Sequence, residues 1–474
     1  MSVRALALLF CALAVFHCLG NWAMPLLDRD EPRFAEASRE MRQSGDYVVP
    51  HFNGADRFDK PPLIYWLQCG AYALLGENEF AARLPSALCA AAIGVALAAW
   101  GAQLWGPATG WRAALIFSLC LQTMIHARAA VADMPMVLCA TLAAWAGWVW
   151  RTRGSRFAWA AFWMALALGF LAKGPIALLP LGMVWWGGAT PARRSWGAWL
   201  GGAAIMLGMI ALWGVPALVR TNGAYAAVGL GKHVVARSFS PLEGHGGGSV
   251  WSYLAMLLFY FGTIWLSFFP WSIWLPAAAR AQWQAGFPRG SIERYLFAGV
   301  LLCFGIFTLS RTKLPHYTLP CFPFLALLLA ARWPEKAGRA FHRTALATAV
   351  GGVLLFLAGF AFFSRFFPGP QLYAQAAPFL KPETRLITSG YQEPSLVWIF
   401  RKRLLGYAEE HSPAKLCAAL AEPDPCVAIL PESMLSELPV APDAAWPQFR
   451  AEGMNFVNAR KVRLVMIVKP QTQK

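Results

Sequence analysis

The sequence predicts a mainly α-helical polytopic membrane protein, with about eleven (11–13) transmembrane helices followed by a small soluble α/β domain. Three observations predict it. Residues A, V, I, L, M, F, W, Y and C make up 58% of the 474 positions and charged residues 14%, against roughly 25% charged in soluble domains. The apolar residues come in blocks near the ~20 residues with which a helix crosses ~30 Å of hydrocarbon. From about Pro368 onward these blocks stop, and short strand-like and helix-like runs alternate instead.

The predicted spans are 5–27, 80–105, 112–126, 135–150, 157–172, 175–189, 197–219, 251–276, 295–310, 317–331 and 344–364. The first opens after Arg4 like a signal peptide, but it lacks a small-residue cleavage site and many spans follow, so an uncleaved helix is expected. The 23 Trp and 33 Pro suit a bilayer, where Trp sits at interfaces and Pro is tolerated within spans. Residues 1–366 form the membrane domain and 367–474 the soluble domain, with strands expected at Arg385–Thr388, Cys426–Leu430 and Val462–Val468 and helices at 394–403 and 412–421. No internal repeat of the inverted-transporter kind is present in the sequence.

An odd number of spans puts the termini on opposite sides, and basic residues decide which side is which. One set of connections holds Arg4, Arg112, Arg151, Arg153, Arg156, Arg193, Arg194, Arg280, Arg289, Arg294, Arg332, Lys336, Arg339 and Arg343, against only Glu293 and Glu335. That set is expected in the cytoplasm with the N-terminus. The loops 28–79 and 220–250 and the C-terminal domain then face outward, away from the cytoplasm. The net charge of +17 is spread between apolar blocks rather than gathered in a soluble domain, so membrane lipid, not nucleic acid, is its anionic partner. Seven of the ten cysteines lie in apolar blocks and read as small hydrophobes. Cys417 and Cys426 are able to pair if their domain lies in an oxidising compartment.

The external loops carry the unusual polar sequence. In residues 33–42, Phe34, Ala37 and Met41 share one helical face while Arg33, Glu36, Glu40 and Arg42 cover the other, an interfacial amphipathic pattern. A second surface helix follows Pro61-Pro62, with Leu63, Trp66, Leu67 and Gly70 at helical spacing.

Four stretches are candidates for chemistry. Asp30-Glu31-Pro32-Arg33 reads either as a helix cap and first turn or as a carboxylate and a guanidinium held together where a sugar phosphate would lie. In Phe58-Asp59-Lys60-Pro61-Pro62, Asp59 is a second possible cap. Lys60 either snorkels to headgroups or meets a lipid phosphate as a point charge. Arg128 and Asp133 lie in a short hairpin between spans, and Lys173 stands before Gly174-Pro175. A charge at bilayer depth costs roughly 2.5–3.5 kcal/mol, so such residues usually have a function. In Arg311-Thr312-Lys313-Leu314-Pro315-His316-Tyr317, four polar groups converge at the outer end of a span. Lys232, His233 and Arg237 stand in the Gly-rich second loop, and Asp59 with His233 offers a sparse divalent-metal pair. On the topology above, these groups share one side and describe a basic, carboxylate-containing cleft.

The runs Asp30–Met41 (DEPRFAEASREM), Phe58–Trp66 (FDKPPLIYW), Ala82-Arg83-Leu84-Pro85 and Leu171-Ala172-Lys173-Gly174-Pro175 resemble the bacterial 4-amino-4-deoxy-L-arabinose lipid A transferases. These belong to the protein O-mannosyltransferase-like superfamily with the GT-C fold. The resemblance spans roughly residues 5–365. It implies a glycosyltransferase using a polyprenyl-phosphate sugar donor on the periplasmic side. It also implies catalytic roles for Asp30 and Asp133, donor-phosphate contacts from Arg33, Lys60 and Tyr317, and a metal bound by His233 with Asp59, where the family usually has Glu. Lys313 joins the phosphate group as a helper, with Glu31, Arg128, Lys173, Arg237, Arg311 and His316 elsewhere in the cleft. The C-terminal domain is shorter than in the arabinose enzymes, which leaves the sugar (aminoarabinose or hexosamine) and the acceptor open.

The expected reaction moves that sugar to lipid A, at a phosphate or a hydroxyl, a modification tied to polymyxin resistance. The alternative acceptors are protein Ser/Thr and another envelope glycan. A lipid-linked sugar transporter would place charges through mid-span positions and on both faces, a pattern the sequence does not have.

Overall fold

A computed structural model describes residues 1–187, 196–229, 231, 253–254, 256–404 and 406–470. Arg193 and Arg194, and the loop residues Lys232, His233 and Arg237, lie outside the described residues.

The first part of the chain forms eight α-helices: α1 (Val3–Cys18), α2 (Asp30–Ser44), α3 (Leu63–Leu75), α4 (Glu79–Trp105), α5 (Pro107–Ser118), α6 (Leu121–His126), α7 (Asp133–Arg153) and α8 (Arg156–Lys173). Among the described residues, five helices are long and apolar enough to cross a membrane: α4, α8, Trp196–Arg220, Ile292–Leu309 and Gly338–Phe366. Shorter apolar helices include α1, α3, Pro175–Trp186 and Pro315–Ala331. Local chemistry sets several ends. Asn78 caps α4 by accepting from the Ala81 N–H at 2.9 Å, and Ser155 caps α8 through the Ala158 N–H at 3.2 Å.

Three expected spans are shorter or broken. The first stops at Cys18 rather than 27, because the chain turns at Gly20 with φ +82°. A Cβ there would lie 2.0 Å from the Phe356 carbonyl oxygen, so only glycine fits. The 112–126 block divides into α5 and α6 at Leu119–Cys120. The 251–276 block is helical over Phe259–Ser267 and resumes as a 3₁₀ turn and helix from Trp271 to Ala285; Pro270 has no N–H with which to continue.

Buried aromatic and small residues join these helices. Tyr295 donates its hydroxyl to the Ala144 carbonyl at 2.8 Å, and Trp271 stacks on Phe341 at 5.2 Å. Gly94 lets α1 approach α4: a Cβ there would sit 2.4 Å from Leu13.

The C-terminal region holds a five-stranded mixed sheet in the order β4-β3-β5-β7-β6, with β3 (Arg385–Thr388), β4 (Glu409–Glu410), β5 (Cys426–Pro431), β6 (Gln448–Asn455) and β7 (Arg460–Lys469). A separate hairpin in the first loop pairs β1 (His51–Phe52) with β2 (Ala55–Asp56). Helices Pro394–Phe400 and Pro413–Ala421 flank the larger sheet. Parallel pairing of β3 with β4 and β5 gives way to antiparallel pairing through β7. The sequence reading omits β4 and β6: β4 is two residues long, and β6 is half-exposed with few branched side chains. Cys417 and Cys426 are both free thiols; Cys426 is buried on β5 while Cys417 points to the Val440 carbonyl.

The polar face of α2 is not a solvated face. Glu36, Arg39 and Glu40 are all buried. Arg401, just beyond the Pro394–Phe400 helix, donates to both Glu36 and Glu40, while Arg39 donates to Glu36 at 2.9 Å. Trp398 stacks on Tyr72 of α3 and donates to Glu79 at 2.9 Å, an oxygen shared with Lys402. Asn53 exchanges two hydrogen bonds with the Ala408 backbone. The amphipathic pattern is real, but its polar side is covered by ion pairs from the C-terminal region rather than by water. On α3 the buried residues are Ile64, Tyr65, Gln68, Cys69, Ala71 and Tyr72, and the expected Leu67 and Gly70 are exposed.

Asp28 fastens this junction, accepting from the Ser395 N–H at 2.8 Å and from the Ser395 hydroxyl at 2.5 Å. Burial outweighs those hydrogen bonds and pushes its carboxyl up to about 7. A folded pKa above the unfolded one means a contribution fully present below pH ~4 and lost as pH rises through ~7. Asp28→Asn keeps an oxygen for the Ser395 N–H and an amide donor for its hydroxyl, but does not titrate. The wild type is therefore expected to lose thermal stability relative to Asp28→Asn between about pH 4 and 7, with little further change above. Parallel Tm–pH curves for the two proteins would dismiss the assignment.

Candidate active site

The start of α2, the 57–65 segment, the α6–α7 turn, the end of α8 and the 315–317 turn converge on one region. Their placement follows from local chemistry. Asp30 is the first residue of α2, the cap position being Arg29, and it is exposed. Asp133 likewise opens α7 after Ala132. Lys173 ends α8, where Gly174 at φ +78° and Pro175 stop the helix.

Glu31 orients the first of these elements from below. Its two carboxylate oxygens accept from Arg83 Nε and Nη2, both at 2.8 Å, and from the Leu27 and Ala130 N–H groups at 2.8 and 2.7 Å. Arg83 also donates to the carbonyls of Asn21, Met24 and Pro25 at 2.7–2.9 Å. The expectation that Glu31 lines the cleft is therefore corrected: it is a buried brace beneath Asp30.

Arg57 organises the second element. Nearly buried, it sits 3.0 Å from Asp59 Oδ2 and donates to the Tyr65 hydroxyl at 3.1 Å, with its guanidinium 5.1 Å from the Phe34 ring. Burial opposes its charge, but Tyr65, Asp59 and Asp30 together hold its pKa above the ordinary value. The field of Asp30 at Arg57 and Tyr65 ties the start of α2 to the segment that carries Lys60. Lys60 is half-buried and its carbonyl accepts from the Tyr225 hydroxyl at 2.5 Å. Asp59, expected as a cap or a metal ligand, is instead committed to Arg57, and α3 begins after Pro62 with no side-chain cap. Its proposed co-ligand His233 lies outside the described residues, as does Arg237, so no ligand set is assembled around Asp59 among the described residues.

Asp133 is buried and accepts from Lys173 Nζ at 2.6 Å. His126 and His316 face it, their ring centroids 5.0 Å apart. Asp30 acts electrostatically on His126, and Lys60 on His316, so Asp30, Lys60, Asp133, Lys173 and His316 form one neighbourhood. Arg33 lies half-buried on α2 within the field of Asp28.

Other expected cleft residues turn elsewhere. Arg128 is buried, donates to the carbonyls of Phe16, Leu19 and Met124, and stacks on Phe356 at 3.8 Å; it ties α1 to the α6–α7 turn. Lys313 is buried and spends its ammonium on the Phe307 and Thr308 carbonyls at 2.9 and 2.5 Å, closing the end of the Ile292–Leu309 helix. Arg311 is exposed, 5.6 Å from the Tyr253 ring. Tyr317 lies against Phe307, 4.8 Å between rings, and His316 of this run reaches Asp133's neighbourhood. The sequence reading did not select Arg57, Tyr65 or His126. Arg57 stands two residues before Asp59, and His126 and Asp133 are seven apart across a turn; neither spacing is a signal by itself.

The family described as dolichyl-phosphate-mannose-protein mannosyltransferase matches residues 59–228. An undecaprenyl phosphate-alpha-4-amino-4-deoxy-L-arabinose arabinosyl transferase of Pseudomonas fluorescens is 30% identical over 363 residues, covering 75% of this chain and 64% of that protein. A Sodalis glossinidius transferase of the same description is 31% identical over 366 residues, 74% and 62%. The chain thus spans somewhat less than two thirds of these relatives' lengths. The crystal structure of ArnT from Cupriavidus metallidurans bound to undecaprenyl phosphate superposes with a TM-score of 0.78 at 20% identity, over 98% of each chain. At that identity the match speaks for the fold.

Proposed function

Given that this chain is a sequence relative of the undecaprenyl phosphate–aminoarabinose arabinosyl transferases and has the GT-C fold of a solved ArnT, we propose that it is a glycosyltransferase of the bacterial inner membrane. It moves an aminoarabinose-type sugar from undecaprenyl phosphate to lipid A on the periplasmic face. The N-terminus is cytoplasmic, and the Asp30–Lys60 region and the C-terminal sheet are periplasmic, in line with the positive-inside pattern. The observation that carries the reading is the meeting of Asp30, Lys60 and the Asp133–Lys173 pair at the ends of α2, α6, α7 and α8.

In this reading Lys60 and Arg33 meet the charge that grows on the departing polyprenyl phosphate. Asp30, exposed at the start of α2, faces the positive charge at the anomeric carbon and orients the acceptor. An acceptor phosphate is already anionic and needs no base; an acceptor hydroxyl gives its proton to Asp30. Asp133, held by Lys173, serves as a fixed negative charge that keeps Lys173 oriented at the cleft.

The test is transfer by purified full-length protein from an undecaprenyl-phosphate aminoarabinose donor to lipid A, read by mass spectrometry. An aminopentose increment on lipid A is expected from wild type and about 10²-fold less from Asp30→Asn. An increment on protein instead of lipid A would move the acceptor assignment, and no transfer by the wild type would sink the reading. A loss restricted to hydroxyl acceptors in Asp30→Asn would identify Asp30 as the base.

A further inference from the structure

Two imidazoles beside Asp133 have no part in the charge balance above. Ligand atoms of His126, Asp133 and His316 all lie within 4.8 Å of one another. They come from three elements: the end of α6, the first residue of α7 and the Pro315–Cys321 turn. Neither imidazole is hydrogen-bonded to Asp133, whose side-chain hydrogen bond goes to Lys173. Three atoms spaced in this way surround a point no more than about 2.8 Å from each. Metal–ligand bonds to His and Asp run about 2.0–2.2 Å, so shifts of well under ~1 Å would close the set.

The partners behind the ligands fit the same purpose. His126 Nδ1 is 2.8 Å from Gln122 Nε2, one turn earlier on α6; with that amide turned over, its oxygen takes the Nδ1 proton and leaves the His126 Nε2 to ligate. Lys173 binds Asp133 Oδ1, the outer-shell contact that fixes a ligating carboxylate while Oδ2 turns to the ion. A plain polar cluster would instead be expected to join imidazole and carboxylate by a direct hydrogen bond. Asp133 is buried, while both histidines are partly exposed, so the open side of the set lies with the imidazoles.

We propose that His126, Asp133 and His316 bind one divalent transition-metal ion of the Zn²⁺ class, with a coordination position open to the cleft. Two imidazoles and one carboxylate with an open position form a catalytic rather than a closed structural set. That the open position takes an anionic oxygen of the sugar-phosphate donor rests on the transfer reading; the binding itself does not.

The test uses full-length protein, purified through a tag without histidines, stripped with a chelator and titrated with Co²⁺ alone. Wild type is expected to take up one equivalent with a visible d–d absorption band that Zn²⁺ abolishes. His126→Gln and His316→Gln are each expected to lose the band, and a thermal upshift with Zn²⁺, while remaining monodisperse. The double variant Asp59→Asn/His233→Ala is expected to keep it. The proposal is overturned if folded wild type gives no band at stoichiometric Co²⁺. It is equally overturned if the band survives both histidine variants, or vanishes in the Asp59/His233 variant. Sugar transfer without a band would overturn this site alone, and a band without transfer would overturn only the enzymatic reading.

Discussion

Lys60→Ala is expected to lower transfer by about 10²–10³-fold, mainly in kcat, with folded protein unchanged. The reasoning begins with the leaving group. As the glycosidic bond breaks, negative charge collects on the polyprenyl phosphate, and a fixed cation there stabilises the transition state more than the ground state. Loss of one such group costs roughly 2.7–4 kcal/mol. Lys60 is placed for this by a stiff frame: Pro61 and Pro62 follow it, Tyr225 holds its carbonyl, and Arg57, three residues earlier, is locked to Asp59 and Tyr65. Its half-exposure makes a structural loss small. Lys60→Arg restores a cation of different shape and is expected to recover part of kcat. Steady-state kinetics with the lipid-linked donor would check this, and an unchanged kcat in Lys60→Ala would remove Lys60 from the phosphate site.

Much of this site was legible because its residues are anomalous in the sequence. Asp30, Lys60, Asp133 and Lys173 are charges at the edges of apolar blocks; Asp133 and Lys173 are paired, and Asp30 and Lys60 act on the two histidines beside that pair. The readings that changed share a cause: the deciding partner is far away in the chain. Glu31 looks like a cleft carboxylate until Arg83, fifty-two residues on, takes both its oxygens. The polar face of α2 looks solvated until Arg401 covers Glu36 and Glu40. Lys313 and Arg128 look like free cations, but nearby backbone carbonyls left without partners at helix ends absorb them. Periodicity reports which residues share a face and says nothing about what covers it. The helix breaks at Gly20 and Leu119–Cys120 were hidden for the same reason, since hydropathy alone does not sense a neighbouring backbone.

Arg83→Ala is expected to abolish accumulation of folded protein. Arg83 is fully buried within α4 and donates five hydrogen bonds: two to Glu31 and three to carbonyls of the 21–25 turn. Removing one member of a buried ion pair costs about 3–5 kcal/mol, because the other charge stays behind without compensation. Each stranded carbonyl adds roughly 1–3 kcal/mol, and a domain's whole stability is about 5–15 kcal/mol. Arg83→Lys keeps the charge but not the planar fork, and so cannot serve both Glu31 oxygens and the turn at once. That variant is expected to fold with a lowered Tm. Because Glu31 fixes the residue next to Asp30, its kcat is expected to fall more than its KM rises. Size-exclusion profiles and thermal melts of detergent-extracted protein decide the first claim, and kinetics of Arg83→Lys the second. A monodisperse Arg83→Ala protein with wild-type Tm would mean that the first loop is held by something other than this ion pair. The position of Asp30 would then need a different explanation.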